Sequence, residues 1–386
     1  MTSLPVTTAP VREIAVLRAL ALGDLLCAIP VLRVLRARHP EARVTLIGLP
    51  GAREVVRRFP RLIDELWPFP GFPSIPEVPL APAATTAFLL AAQGRRFDLA
   101  VGLQGSGLAS NAFLALLGAR HVVGFMPPGI GTPPGPGTWL SHDPHGSEIR
   151  RLLRISPALG GIEPDGPPDE RLELPALPAD DAELRLVPGV DRLLAQEYAV
   201  VHPGSADPHR RWPAERFAAV ARALVGRGLG VAVTGSAGER DVAAAVAAAA
   251  GPDAVDASGR TTLGALAALV DGARVVVTND TGVSHVAAAR RSPSVVLFTT
   301  SERERWAPLD ADLHLAIGQG MPGACSHDDG APHRCLGDSC TRRDACAREP
   351  SRSALANALG DGEPPSVDAV LAAVDRQLSR DRVHAG

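Results

Sequence analysis

The chain has 386 residues, of which 46% are hydrophobic, and its formal net charge at neutral pH is −3. That length is typical of two domains of ordinary size, and the slight negative charge argues against a dedicated nucleic-acid-binding protein. All 39 basic residues are arginine, so the abundance of arginine does not by itself indicate phosphate recognition. No apolar run has membrane-spanning length and the first residues do not resemble a secretory signal, so we expect a cytoplasmic protein.

The first half of the chain alternates short apolar segments with helical patterns. Strands are predicted over 14–19, 44–48, 97–103 and 121–125, and helices over 23–38 and from the loop 104–107 through 117. The Pro- and Gly-rich stretch 126–140 predicts an irregular loop, such as a flap near a site. Residues 155–190 are rich in Pro and acidic residues, as in a connection between domains. Strands that alternate with helices predict a parallel, doubly wound α/β sheet.

The same alternation begins again at residue 198. Strands are predicted over 198–202, 229–234, 254–256, 273–277 and 294–298, with helices over 213–227, 239–250, 261–271, 283–290 and, after a loop-rich stretch, 367–380. We expect an N-terminal domain at 1–185, a C-terminal domain at 186–363, and a last helix within 364–386 that can pack back on the N-terminal domain. Two such domains facing each other would hold a ligand in a cleft between the carboxyl ends of their strands.

Two common nucleotide-binding motifs are missing. The first strand leads into ALALGDLL without the G-x-G-x-x-G pattern of dinucleotide-binding domains, and GSGLAS at 105–110 lacks the last glycine of that pattern. A P-loop needs a lysine, which this chain does not contain. Dehydrogenases and P-loop NTPases are therefore disfavoured.

The string TNDTGVSH at 278–285 is the segment that most clearly indicates a ligand. It joins a Val-rich strand to a helix, and this geometry offers backbone N–H groups and a positive dipole end to a phosphate. Its residues can cap the helix, let the backbone approach closely, or donate one turn into the helix: Asp280, Thr281, Gly282 and His285. An ordinary helix N-cap is the alternative, so the motif has to be weighed with the others.

An aspartate lies at the corresponding turn of the first domain. Gly23 and Asp24 join the first predicted strand to the first helix, at the carboxyl edge of the sheet. Asp24 either interacts favourably with the helix dipole or points into the expected cleft. Its position alone leaves both roles open.

Two further turns of the second domain carry polar groups. Ser205 follows a strand end and can donate its hydroxyl to a phosphate, and Arg210 or Arg211 can pair with a diphosphate through two hydrogen bonds. Glu239, in TGSAGER at 234–240, could accept hydrogen bonds from ribose hydroxyls. A solvated arginine pair and a surface glutamate in the first turn of a helix are the alternatives.

The cysteines do not form a recognisable metal motif. Cys27 lies in an apolar helical pattern and is expected in the core. The others lie near two histidines in a loop-like tail: Cys325, Cys335, Cys340 and Cys346. Structural zinc sites gather their ligands as close pairs, whereas the gaps here are nine, four and five residues. We therefore expect a surface loop and no metal.

Taken together, these segments resemble glycosyltransferase family 9, the heptosyltransferase family of the GT-B fold. The likeness runs from residue 14 to about residue 309. In the N-terminal half it includes VLRALALGDLLCAIPVLRVLRARHPEARVTLIG and LQGSGLASNAFLALLGARHVVGF. In the C-terminal half it includes HPGSADPHRRWPAERF, TGSAGERD and NDTGVSHVAAA, followed by SVVLFTTSERERWAP. The resemblance implies two Rossmann-like domains, an acceptor-binding N-terminal one and a donor-binding C-terminal one.

The resemblance also implies a role for each matching residue. Asp24 corresponds to the general base, and Arg210 stands where the family usually has a lysine that stabilises the departing diphosphate. Donor-binding roles are implied for Ser205, Arg210, Glu239, Asp280, Thr281, Gly282 and His285. Acceptor-side roles are implied for Gly23, Gln104 and Ser106. Gly102 departs from the family pattern, because many members have an aspartate at that position.

The implied reaction is an inverting transfer of a sugar, a heptose by family analogy, from a nucleoside-diphosphate donor to an acceptor hydroxyl. An ADP-sugar is the favoured donor, and no cofactor or metal is required. The acceptor can be the lipopolysaccharide core, another glycan or glycolipid, or a small soluble molecule, with peripheral membrane contact left open. A nucleotide-sugar epimerase of the same fold and a non-catalytic nucleotide-sugar-binding protein remain the alternatives.

Overall fold

The structure, a computed structural model, describes residues 10–163, 165–318 and 364–380. These residues divide into two compact units. The first contains the described residues up to 171, and the second contains 172–318 and 364–380. Each unit is built around its own parallel sheet.

The first unit has six strands and five α-helices. Its strands are β1 (Glu13–Arg18), β2 (Arg43–Gly48), β3 (Glu65–Pro68), β4 (Leu99–Gly102), β5 (His121–Met126) and β6 (Gly137–Ser141). Its helices are α1 (Leu22–Arg38), α2 (Arg53–Val56), α3 (Pro82–Arg95), α4 (Ser110–Leu116) and α5 (Glu148–Leu153). The sheet order is β3-β2-β1-β4-β5-β6, and every neighbouring pair is parallel.

The second unit repeats this plan. Its strands are β7 (Tyr198–His202), β8 (Gly230–Val233), β9 (Val255–Asp256), β10 (Val275–Asn279), β11 (Ser294–Leu297) and β12 (His314–Ile317). Its helices are α6 (Asp180–Leu184), α7 (Val190–Leu194), α8 (Ala214–Gly226), α9 (Arg240–Ala250), α10 (Leu263–Asp271), α11 (Gly282–Ala289), α12 (Arg303–Trp306) and α13 (Val367–Leu378). The sheet order is β12-β11-β10-β7-β8-β9, again all parallel.

Both sheets have the doubly wound order in which the first and fourth strands of the unit lie side by side. Connections leave these two strands toward opposite faces, so a crevice opens at their carboxyl ends, where ligands of such sheets bind. The central strands of both units are buried on both faces, which accounts for their apolar sequences. The predicted α/β class with two doubly wound sheets is confirmed.

The predicted loop 126–140 is wrong at its end, because residues 137–141 form the edge strand β6. This strand pairs with β5 in parallel. The ring of Trp139 lies so close to Gly124 and Gly137 that a Cβ on either would approach it to 2.9 or 2.8 Å. The two glycines therefore make room for an indole on the sheet, and the ring contributes to the core of this unit.

The last helix packs on the second unit, and its expected packing on the N-terminal domain stays a prediction. Val370, Ala373 and Val374 of α13 belong to the same buried cluster as Trp212 and Phe217. The indole Nε1 of Trp212 donates to the Pro365 carbonyl at 2.9 Å, just before the helix begins. Burial of these apolar side chains, at roughly 25 cal/mol per Å², fastens the helix to the second sheet.

The boundary between the units also lies earlier than the predicted division at 185/186. Helix α6 precedes that division, yet it packs against α10 of the second unit. The carboxylate of Glu183 accepts a hydrogen bond from the Thr262 hydroxyl, directly before α10. The second unit therefore begins at residue 172, inside the segment 155–190 that was predicted to connect the domains. In the part of the chain that the structure describes, no helix combines the length and apolar character needed to cross a membrane.

Two buried histidines of the second unit make its stability depend on pH. The Nδ1 atoms of His202 and His314 lie 3.0 and 2.9 Å from the hydroxyls of Thr234 and Ser294. Burial lowers the pKa of both histidines to about 4, against the opposing charges of Glu239 and Asp310. An unfolded chain binds these protons near pH 6.5, so the folded state loses stability as the pH falls from 6.5 toward 4.

We expect each histidine to remove about 2 kcal/mol of unfolding free energy between pH 7.5 and pH 5. His202→Asn and His314→Asn keep an acceptor or donor near the Nδ1 position. Each substitution should reduce the fall in unfolding free energy between the two pH values by about 2 kcal/mol. Urea unfolding at the two pH values measures the change. His209→Asn, at an exposed position of the same unit, is the matched control. A pH dependence that is identical in all four proteins would contradict this account.

Candidate functional site

The predicted site residues fall into two groups, one in each unit. In the first unit, Asp24 follows β1 and Gln104 follows β4. In the second unit, Ser205 follows β7 and Asp280 follows β10. Each pair of strands is the one at which its doubly wound sheet changes winding direction, so each group lies at the expected crevice of its own sheet.

Asp24 is held by a buried arginine. It lies in the first turn of α1, with Gly23 buried before it, and its side chain is 26% exposed. The guanidinium Nη2 of Arg18, the last residue of β1, lies 3.3 Å from Asp24 Oδ1. The Arg18 Nε donates to the backbone carbonyl of Asp24 at 3.0 Å. The carboxylate therefore keeps a defined orientation while one side of it remains accessible.

Arg18 is in turn fixed by partners from distant segments. Its Nη1 donates to the Leu103 carbonyl at the end of β4, and its Nη2 lies 3.2 Å from Glu148 Oε1. Glu148 begins α5 and also binds Arg151 on the same helix through bonds of 2.5 to 3.0 Å. Arg18, Glu148 and Arg151 are almost completely buried. The chain thus buries three charged side chains behind a single accessible carboxylate.

Gln104 connects the two loops of this crevice. It is 7% exposed, its Oε1 accepts from the Ala19 backbone N–H at 2.8 Å, and its Nε2 donates to Glu77 Oε1 at 3.2 Å. Burial and, to a smaller degree, the charge of Asp24 raise the pKa of Glu77. Ser106 accepts a long hydrogen bond from the Leu108 N–H. Two of the predicted acceptor-side residues, Gln104 and Ser106, thus already form hydrogen bonds within the protein.

In the second unit, Asn279 ties the loop after β7 to the end of β10. Its amide Nδ2 donates to the carbonyls of Pro203 and Gly204 at 2.9 and 3.1 Å. Its Oδ1 accepts from the Trp212 backbone N–H at 2.9 Å. Because Asn279 is fully buried, these bonds hold both ends of the loop that carries Ser205.

Arg210 and Asp280 face each other across this crevice. The Arg210 Nη1 lies 3.7 Å from Asp280 Oδ2, and its Nε lies 3.8 Å from Asp207 Oδ2. Asp280 is 3% exposed, and its Oδ2 accepts no hydrogen bond from the described residues. Its backbone N–H donates to the Leu297 carbonyl. A carboxylate cannot donate to a phosphate, so the Asp280 side chain is better suited to directing the Arg210 guanidinium.

Thr281 and Gly282 begin α11 as the motif predicts. Thr281 is the N-cap, its Oγ1 accepts from the Val283 N–H at 3.4 Å, and its carbonyl accepts from the Ser284 hydroxyl at 2.7 Å. The helix therefore starts with its N-terminal end at the carboxyl edge of β10. This is the arrangement in which backbone N–H groups and the helix dipole favour an anion.

Glu239 is buried against the loop that carries Ser205. It is 8% exposed, and its Oε2 accepts from the Ser236 N–H at 2.7 Å in a capping box. Its carboxylate lies so close to Gly204 that a Cβ there would come within 2.4 Å of it. Burial alone would raise the pKa of Glu239, but hydrogen bonds from Ser236 and the charges of His202 and Arg211 lower it. Glu239 is therefore a structural group of this loop as well as a ligand candidate.

Two other predicted residues have less direct access. His285 is 5% exposed, and its ring lies edge-on to the indole of Trp306 with centroids 6.2 Å apart. Trp306 also stacks with the Arg305 guanidinium, 4.9 Å from the ring centroid. Ser205 is 3% exposed, and its carbonyl accepts from the Arg211 Nε at 2.8 Å. Arg211 therefore shapes the loop, whereas the side chain of its neighbour Arg210 is 38% exposed and lies beside Asp280.

Sequence reasoning missed several residues that build these crevices. Arg18 and Glu148 carry no motif of their own, and Asn279, although it lies in TNDTGVSH, had no role assigned to its side chain. Arg18 gave one available signal, a charge that follows the buried apolar run IAVL at the end of β1. Such a charge has to find a partner inside the protein.

The structure describes no metal centre. Among the described residues, no three or more His, Cys, Asp or Glu side chains are grouped so that they could hold a metal ion. The four clustered cysteines lie outside the described residues: Cys325, Cys335, Cys340 and Cys346. The expectation about them stays a prediction.

Sequence comparison connects the chain with one family. Residues 155–328 match the model of glycosyltransferase family 9 (heptosyltransferase). Lipopolysaccharide heptosyltransferase 3 of Escherichia coli strain K12 is 22% identical over 298 residues, 75% of this chain and 83% of that protein. Curated relatives that are 30–32% identical match over shorter segments, so that the chain spans 30–36% of their length.

Comparison with solved structures agrees over nearly the whole chain. The glycosyl transferase family 9 protein of Veillonella parvula DSM 2008 superimposes with a TM-score of 0.73 at 19% identity, covering 96% of this chain and 98% of that one. ADP-heptose lipopolysaccharide heptosyltransferase II of E. coli gives a TM-score of 0.64 at 19% identity, covering 95% and 98%. At such identities the likeness concerns the fold, and it confirms the predicted GT-B class.

Proposed function

We propose that this chain, which belongs to glycosyltransferase family 9, transfers a sugar from a nucleoside-diphosphate donor to an acceptor hydroxyl with inversion at the anomeric carbon. The observation that carries the proposal is Asp24, a partly exposed carboxylate whose orientation is held by the buried Arg18 at the crevice of the first sheet. A general base has to be both accessible and fixed in direction, and Asp24 meets both requirements.

The donor is proposed to bind the second unit through its diphosphate. Arg210 supplies a guanidinium that can bind phosphate oxygens through two hydrogen bonds, and Asp280 directs it. The start of α11 at Thr281 and Gly282 supplies backbone N–H groups and the positive end of a helix dipole. Ser205 can add a hydroxyl. Glu239, next to the same loop, is proposed to contact the ribose.

The proposed reaction moves one proton and exchanges one bond at carbon. Asp24 takes the proton of the acceptor hydroxyl while its oxygen attacks the anomeric carbon. The bond between that carbon and the diphosphate oxygen breaks through an oxocarbenium-like state, and its electron pair leaves with the diphosphate. Arg210 and the α11 N-terminus stabilise the charge that develops there. We propose no metal or other cofactor in this scheme.

A heptose and an ADP-activated donor are favoured by the relatives, whose names refer to ADP-heptose and lipopolysaccharide heptosyltransferases. The lipopolysaccharide core is accordingly the first acceptor to test, with other glycans, glycolipids and small soluble acceptors as further candidates. Reaction in the cytoplasm stays a prediction. Release of nucleoside diphosphate that requires both donor and acceptor would support transfer, whereas epimerisation of the donor alone would support an epimerase instead.

The nucleotide can be identified by thermal shift. We expect ADP or an ADP-sugar to raise the unfolding temperature more than the UDP, GDP or dTDP counterparts at equal concentration. A ligand present at 100 times its Kd adds about 2.7 kcal/mol of apparent stability. The shift should shrink in Arg210→Ala and persist in Asp24→Asn, because the two residues belong to different units. Equal shifts for all four nucleotides would contradict the choice of ADP, and no shift with any would contradict donor binding.

A further inference from the structure

The cluster behind Asp24 consists of three buried charged side chains. Arg18 is fully buried, and the side chains of Glu148 and Arg151 are each 1% exposed. Burying ions is costly, and buried ion pairs can often be replaced by apolar residues without loss of stability. A cluster kept at this cost needs an explanation beyond packing. Its one accessible member is Asp24.

The connections run in a single line from α5 to Asp24. Arg151 binds both carboxylate oxygens of Glu148, at 2.6 Å and 2.5 Å from its Nη2. Glu148 Oε1 lies 3.2 Å from Arg18 Nη2, and the same nitrogen lies 3.3 Å from Asp24 Oδ1. One nitrogen of Arg18 is therefore shared between two carboxylates, one buried and one accessible.

We propose that Glu148 is a positioning residue that acts on Asp24 through Arg18, holding the guanidinium in place and balancing its charge so that Asp24 remains oriented yet able to take a proton. This inference rests on the proposed function, because it gives Glu148 a purpose only if Asp24 is a base. Arg151 keeps Glu148 in its position. Without Glu148, the charge of Arg18 would act on Asp24 alone and would make it a weaker base.

The charged groups that face Asp24 come from three elements. Arg18 ends β1, Glu148 begins α5, and Glu77 lies in the loop before α3, where the charge of Asp24 affects its pKa. Glu77 does not contribute to the line from α5 to Arg18. Substitution of Glu148 removes a negative charge from the surroundings of Asp24, and substitution of Arg18 removes a positive one. The two changes should therefore alter the protonation of Asp24 in opposite directions.

The test measures the protonation of Asp24 directly and the rate of sugar transfer separately. Carboxyl carbon NMR of protein labelled at aspartate follows Asp24, whose signal is identified by its loss in Asp24→Asn. In Glu148→Gln we expect the titration midpoint of Asp24 to move to lower pH, and in Arg18→Gln to higher pH. Glu163→Gln is the matched control, because Glu163 pairs with the 4% exposed Arg38 at the other end of α1.

The rate is tested by a double-variant cycle. Glu148→Gln should lower kcat about tenfold, with the donor KM little changed, as for coupled groups in one network. Glu148→Asp should recover part of the loss. In Asp24→Asn the further change Glu148→Gln should add no more than about twofold, because the group through which Glu148 acts is already gone.

Several results would overturn the proposal. Midpoints that move in the same direction in Glu148→Gln and Arg18→Gln, or that do not move, would show that Glu148 only supports the fold. Rate losses that multiply fully in the double variant would show the same. If the wild-type chain transfers no sugar from any donor, the proposed function fails, whereas the NMR midpoints still decide the link between Glu148 and Asp24.

Discussion

Asp24→Asn is expected to fold, to bind the nucleotide as tightly as the wild-type chain, and to lose at least ~100-fold in kcat, the usual scale for loss of a general base. Asparagine has the shape of aspartate, and its carbonyl oxygen can still accept from the Arg18 guanidinium, 3.3 Å away in the wild-type chain. It cannot take a proton from an acceptor hydroxyl. The residues proposed to bind the donor belong to the other unit and are unchanged. Steady-state rates with a saturating donor measure the loss.

Asp64→Asn provides a matched control for this substitution. Asp64 also pairs with an arginine of α1, at 2.7 Å from Arg36 Nη2, and it accepts from the Val44 N–H. It lies directly before β3, at the amino edge of the sheet, whereas Asp24 lies at the carboxyl edge. Asp64→Asn should therefore change stability a little and kcat hardly at all. Near-normal turnover in Asp24→Asn would remove Asp24 from the mechanism.

The elements that the sequence predicted well are those buried on both faces. The apolar run over 198–202 coincides with β7, and the Val-rich segment before TNDTGVSH overlaps β10. Elements at the surface were missed for a physical reason. Only Thr85 and Ala92 of α3 are buried, so this helix has no continuous apolar stripe to reveal it. The edge strand β6 was missed because the Pro and Gly residues before it predict a loop.

The site could be predicted only where one short segment contains both a turn and a polar group. Gly23 and Asp24 form such a segment, and so do Thr281 and Gly282. The supporting residues come from far along the chain, since 130 positions separate Glu148 from Arg18. The partners close to them in sequence, Asp24 for Arg18 and Arg151 for Glu148, do not indicate that the two residues pair with each other. Contacts of this kind follow from the sheet topology, which no local pattern encodes.

Two adjacent residues at the end of β10 illustrate the difference between what a local motif indicates and what the fold adds. The side chain of Asn279 points to the loop after β7 and fastens it, whereas that of Asp280 faces Arg210. The sequence indicated both as parts of one phosphate-binding turn. In the structure, one shapes the loop that carries Ser205 and the other directs the cation. The groups that we propose to bind the anion are Arg210 and the N-terminus of α11.

Arg210→Ala is expected to weaken donor binding and to lower kcat, with kcat/KM for the donor falling about 100-fold or more, as when a group that stabilises developing charge is removed. Arg210 pairs with Asp280 at 3.7 Å, and no lysine exists in the chain to replace it. Arg210→Lys should retain part of the activity, because it keeps the charge and loses the second hydrogen bond. Arg222→Ala, at an exposed position on α8, is the control.

A loss in Arg210→Ala could also arise because Asp280 would then remain buried without its counter-charge. The double variant Arg210→Ala with Asp280→Asn separates the two causes, since it removes the buried negative charge along with the cation. We expect the double variant to regain unfolding temperature without regaining donor affinity, as measured by calorimetry with ADP. If affinity returned with stability, Arg210 would serve only to neutralise Asp280. An Arg210→Ala protein with wild-type affinity and rate would remove Arg210 from the donor site altogether.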